Sequence, residues 1–235
     1  MMFLVVLVAS AVLVYVLKPA VKKAPIAWYL LALALVFLYL AGARGVLPSE
    51  LKDAAFALLQ KGTLAVALLV IVMFIGALPR ESRARKRLAQ IRAELSIIAS
   101  ILVVGHVVVY GMSFIPRVFG SGQISLLVCV GLAVAVVASA LLLVLAITSV
   151  NVIKLRMKKQ TWKKVQKLAY AFTGLAYVHI LFMLLPSAVA GAGTALQSVV
   201  VYTIVYGAYA VMRIYRAISD RKEAGRIGDA CEISA

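Results

Sequence analysis

Acidic residues are scarce in this chain: 8 Asp+Glu stand against 25 Lys+Arg in 235 residues, and only 14% of residues are charged. A soluble globular domain carries about 25% charged residues, so the composition excludes an ordinary water-facing fold. Cysteine is equally rare. Of the two present, Cys129 lies inside an apolar run and Cys231 near the C-terminus, which excludes a disulfide framework. No GxGxxG follows a strand pattern, so a flavin- or nicotinamide-binding domain of that type is not expected. No positive charge precedes the first apolar stretch after Met1, Met2 and Phe3. That stretch reads as a retained first span with its N-terminus outside, not as a cleavable secretory signal.

What is abundant is aliphatic surface: 65% of residues are hydrophobic. A chain of this size cannot hide that much apolar area in one water-soluble core. Apolar runs cover Met2–Leu17, Ile26–Ala43, Thr63–Leu78, Leu95–Ile115, Ile124–Ser149, Leu168–Leu185 and Ala195–Met212. A membrane span takes roughly 17–25 residues. Five runs reach that length, Met2–Leu17 and Thr63–Leu78 fall one residue short, and Lys18 can snorkel to extend the first. The runs are too long for barrel strands and lack their alternation. The expected fold is an all-α, polytopic membrane bundle of about seven transmembrane helices over residues 1–216, with a short polar tail over 217–235.

The net charge of +17 would suggest nucleic acid in a soluble protein. Here the basic residues occupy short gaps between apolar runs, where topology and anionic lipid explain them, and no nucleic-acid partner is expected. All but four of the 25 Lys+Arg lie in alternate gaps or the tail; the exceptions are Arg44, Lys52, Lys61 and Arg117. The positive-inside rule then places the N-terminus outside and the C-terminus in the cytoplasm of a bacterial or archaeal cell. Between the second and third runs, Leu51, Ala55, Leu58 and Leu59 recur at helical spacing, which predicts an interfacial helix on the outer face.

The two histidines, His106 and His179, both lie within spans. Ionisable groups at membrane depth are costly and mark functional sites by default, although an imidazole can also simply hydrogen-bond between helices. His106 stands 14 residues beyond Arg92, and His179 15 residues beyond Lys164. Those separations correspond to roughly 21 and 22 Å of helix rise on two spans of the same direction. The imidazoles are thus level, outward of the bilayer centre. This arrangement suits bis-histidine ligation of one haem. Gly105, Gly111 and Gly174 leave room for a flat macrocycle or for close helix packing. Two histidines without Cys, Asp or Glu beside them cannot complete a tetrahedral zinc site. The seventh span has no lysine for a retinal Schiff base.

Thr148 and Ser149, the basic loop, the segment Trp162 to Tyr170 (WKKVQKLAY) and His179 resemble the signature of the ferric reductase-like transmembrane domain. Within that family they look most like the haem-binding membrane subunits of bacterial periplasmic methionine sulfoxide reductase systems. In that pattern Trp162, Leu168, Tyr170 and His179 keep their places, and His106 with Arg92 looks like the partner helix. The similarity runs over about residues 79–186. Gln166 stands where the family has its first histidine, so the resemblance implies one outer haem b and no second, inner one. It further implies an electron-transfer subunit of an oxidoreductase, with an extracytoplasmic reductase or other acceptor outside. A single haem cannot cross a core of about 30 Å alone, so a quinol, or FMN or a flavoprotein at the basic loops, is expected as donor. Arg117 is a candidate partner for a haem propionate. Tyr110 and Tyr177 are candidates for lining the pocket or for aromatic packing. The contrasting reading is a haem-free membrane anchor or transport subunit braced by its histidines.

Overall fold

The computed structural model describes residues 2–120 and 124–233, with side chains described up to Arg221. Among the described residues the chain is all helical and forms no strand. The helices are α1 (Met2–Lys23), α2 (Pro25–Ala43), α3 (Ser49–Leu59), α4 (Thr63–Ala77), α5 (Arg83–Leu88) and α6 (Arg92–Phe119). They continue as α7 (Leu126–Ser149), α8 (Asn151–Arg156), α9 (Lys159–Gln166), α10 (Leu168–Val189) and α11 (Gly193–Ile233). Among the described residues seven helical stretches are long and apolar enough to cross a membrane: α1, α2, α3 with α4, α5 with α6, α7, α9 with α10, and α11 up to Arg221. The protein is a multi-pass membrane bundle. Lipid-facing positions such as Val5, Phe37, Val136 and Ile204 are exposed, as expected where hydrocarbon is the solvent.

The most enclosed span is α4. Its Ala65, Ala67, Leu68, Leu69, Val70 and Ile71 are all buried, because α1, α6 and α11 pack around it. Small residues on α4 allow the close approach that drives association where water supplies no hydrophobic force between helices. Phe3 of α1 and Tyr202 of α11 meet across it, with ring centres 4.3 Å apart. On one side α2 packs on α6; on the other α10 packs between α7 and α11. Gly105 serves the first of these contacts, since a Cβ there would lie 3.0 Å from Val36. It leaves no room for a macrocycle at that face.

The first span is longer than its hydropathy suggests, because α1 continues through Pro19 to Lys23. Proline has no N–H to donate to the carbonyl four residues earlier. That freed acceptor is Tyr15 O, and Arg87 Nε donates to it at 3.0 Å while the guanidinium stacks on the Tyr15 ring at 4.8 Å. A helix defect is thus repaired by a side chain from α5. Pro25 then starts α2 at a position where a missing N–H costs nothing. The segment ahead of α4 is helical as expected (α3). At the other end α11 runs on past Arg216 to Ile233.

Candidate functional site

The two spans that carry histidine, α6 and α10, pack mainly on α7 and on α2, α4 or α11, with little backbone contact to each other. Their imidazoles close the gap between them. The ring centres of His106 and His179 lie 6.5 Å apart with planes at 78°. An iron bonded to one nitrogen of each ring at about 2 Å, with about 1.1 Å from nitrogen to ring centre, puts the centres about 6.2 Å apart. The observed spacing fits a metal-sized gap and is too long for ring stacking. Both side chains are half-buried.

The histidines differ in what holds them. His179 Nδ1 lies 2.9 Å from Gly131 O on α7, so Nδ1–H donates to the carbonyl and Nε2 keeps its lone pair. This is the usual support of a metal-bound imidazole, fixing both tautomer and ring orientation. Gly131 is there for packing reasons as well: a Cβ would lie 3.0 Å from Phe182 Cβ, so only glycine brings α7 close enough to α10. His106 Nδ1, in contrast, is buried without a hydrogen-bond partner. The Cγ–Nδ1 side of its ring lies against the backbone at Gly62, where a Cβ would stand 3.4 Å from Cγ and Nδ1. Gly62 adopts φ 69° and the preceding Lys61 φ 58°, a left-handed pair that turns α3 into α4 directly over the imidazole. Glycine takes this conformation freely, whereas for Lys61 it is uncommon.

An aromatic stripe continues from His106 along α6. Tyr110 packs on His106 at 4.6 Å, Phe114 stacks on Tyr110 at 6.3 Å, and the Arg117 guanidinium sits over Phe114 at 5.7 Å. Arg117 therefore folds back along the helix toward the histidine level and is not beside the imidazoles themselves. Tyr177 faces elsewhere, hydrogen-bonded to Thr203 at 2.9 Å and stacked on Tyr206 at 5.2 Å; its role is packing on α11. No atom lies within 4 Å of a Cβ built at Gly174, and only Ile115 comes near one at Gly111.

Some 14 residues before His106 and 13 before His179, the same part of the bundle has a different character. Gln166 Nε2 donates to Thr148 Oγ1 at 3.2 Å, and Trp162 Nε1 to Thr148 O at 3.0 Å. Lys154 covers the Trp162 ring at 5.1 Å. These contacts clamp α9 onto the end of α7 and leave Gln166 engaged by protein. Arg92 is half-buried near Tyr170. Among the described residues no group of three or more His, Cys, Asp or Glu side chains is placed to hold a metal ion.

Residues 61–177 match the family described as ferric reductase like transmembrane component. The chain contains a ferric reductase-like transmembrane domain. The matched stretch opens at the Lys61–Gly62 turn and includes His106; His179 lies two residues past its end. This family points to electron transfer within a membrane. An uncharacterized protein of Treponema pallidum (strain Nichols) is 39% identical over 167 residues, covering 71% of this chain and 46% of the relative. The chain thus spans about half the length of that relative. No solved structure matches.

Two parts of the site had escaped sequence reading: the Gly131 carbonyl and the Lys61–Gly62 turn. Gly131 carries a weak signal, a lone glycine in an otherwise bulky apolar run. The turn's signal is the Lys-Gly pair just ahead of the third apolar run.

Proposed function

We propose that this protein carries one haem b between His106 and His179 and passes electrons through it to an acceptor on the side opposite the basic loops. The observation that carries this reading is the 6.5 Å spacing of the two ring centres, together with the hydrogen bond that leaves His179 Nε2 free to ligate. When bound, the haem supplies a one-electron couple. His106 and His179 hold it from opposite faces, Gly131 fixes the His179 tautomer, and Tyr110 packs the His106 ring in place. Arg117, reaching back over Phe114, offers a cation to a propionate.

The bracing alternative fits His179, whose bond to Gly131 ties α10 to α7. It does not fit His106, whose buried Nδ1 bonds to no neighbouring helix. A buried imidazole nitrogen without a partner costs about 1–3 kcal/mol, and metal ligation by the other nitrogen offsets that cost.

The charge distribution supports an N-terminus outside and a cytoplasmic C-terminus in the cell membrane. The acceptor is then extracytoplasmic, in keeping with the resemblance to haem subunits that serve a periplasmic methionine sulfoxide reductase. A quinol is one candidate donor: an open, almost wholly apolar depression between α1, α2, α4 and α6 runs from Val21 and Trp28 to Leu102, one helical turn short of His106. A flavin at the basic loops is the competing donor. The purified protein is expected to give a reduced-minus-oxidised b-type spectrum that disappears in His106→Ala and in His179→Ala. A colourless protein, or spectra unchanged in both variants, would end the reading. Reduction by a quinol analogue but not by reduced flavin would identify the donor.

A further inference from the structure

Four arginines from two separated segments converge at the end of the bundle opposite the α3–α4 turn. Arg80 and Arg85 come from the stretch after α4, and Arg213 and Arg216 from α11. Asp220 Oδ1 receives both Arg80 Nη2 at 3.4 Å and Arg216 Nη2 at 3.2 Å. Arg216 is only 13% exposed at its side chain. Arg85 donates to the carbonyl of Leu78 at 3.1 Å, and Arg213 to the Tyr170 hydroxyl while stacking on that ring. Glu81, the other nearby acid, is held by Lys86 at 2.7 Å. Among the described residues, therefore, one carboxylate faces four guanidiniums, and neither Arg85 nor Arg213 has an acid within ion-pair distance.

Guanidiniums stay charged under all physiological conditions and present planar forks that match phosphate oxygens. Gathering them in a half-buried cluster is unfavourable by desolvation and mutual repulsion unless an anion joins them. Burial and the neighbouring Arg216, Arg80 and Arg213 charges push the Arg85 pKa below its ordinary value, as expected for a site short of negative charge.

We propose that this cluster, at the basic end of the membrane-spanning bundle, binds the phosphate of an anionic lipid headgroup between α5 and α11. Basic pockets between spans are suited to that chemistry. The site shares no residue with the histidine pair, so it stands or falls separately from the haem.

The full-length protein in neutral detergent is titrated with phosphatidylglycerol, phosphatidylcholine or inorganic phosphate while its unfolding temperature is followed. Phosphatidylglycerol is expected to raise it and phosphatidylcholine to leave it nearly unchanged. In Arg85→Gln/Arg216→Gln the response should need about tenfold more phosphatidylglycerol. In Lys158→Gln/Lys159→Gln, on the other basic loop, it should not change. An equal response in both double variants would overturn the site. Equal stabilisation by inorganic phosphate would overturn the lipid assignment in favour of a soluble phosphate ligand. Should the arginine variant not fold, native mass spectrometry of the wild type decides: a retained anionic phospholipid is expected, and its absence overturns the proposal.

Discussion

The two levels of the α6–α10 region are built from similar helices and differ in what their side chains are left to do. At one level two imidazoles face each other across 6.5 Å. His179 is already supported by Gly131, and His106 lacks any protein partner for Nδ1. At the other level Gln166 is engaged by Thr148, and Arg92 brings a fixed positive charge. Arginine has no lone pair to offer a metal. Ligand capacity in a bundle therefore depends on ring nitrogens that keep a lone pair free at a spacing the iron can bridge. Position along the helix is not enough.

The largest effect expected from this contrast is at the imidazoles. His106→Ala or His179→Ala should each abolish haem binding, read as haem per protein after purification. Retention of a full complement in either variant would erase the distinction between the levels. Next is Gly131→Val, whose side chain would press on Phe182. Overpacking of this kind costs about 1–3 kcal/mol, so the unfolding temperature should fall and haem content drop with it. Gly62→Ala comes third. A φ of 69° is strained for alanine, costing about 1 kcal/mol, and the added methyl would touch the His106 ring at 3.4 Å; the expected result is a shifted haem spectrum with most haem retained. The smallest effect is that of Gln166→Leu, which removes one hydrogen bond worth about 1 kcal/mol. Stability should decline slightly while the haem-to-protein ratio stays the same. A lower ratio there would show that the second level also takes part in cofactor binding.

Much of this was legible in the residues themselves. Hydropathy alone located the seven spans, and the 3.6-residue repeat located α3. Counting residues from Arg92 and from Lys164 put the histidines at one depth, because helix rise is constant. What stayed hidden was set by tertiary contact. Nothing in the sequence says that the carbonyl of Gly131 meets His179, nor that the turn at Lys61 and Gly62 seats backbone on His106. The extent of α11 was not legible for a different reason. Hydropathy marks where apolar residues stop, whereas Ala, Arg, Lys and Glu continue a helix readily in water, and α11 does continue to Ile233. Pro19 likewise looks like a stop signal, but Arg87 takes up the carbonyl it frees.

Electron paramagnetic resonance of the oxidised, purified protein tests the central claim most directly. Imidazole planes 78° apart on a shared iron predict a strongly anisotropic low-spin ferric signal, as near-perpendicular axial imidazoles give. A high-spin signal, a rhombic signal of parallel planes, or no haem iron at all would contradict ligation by His106 and His179 as the structure arranges them.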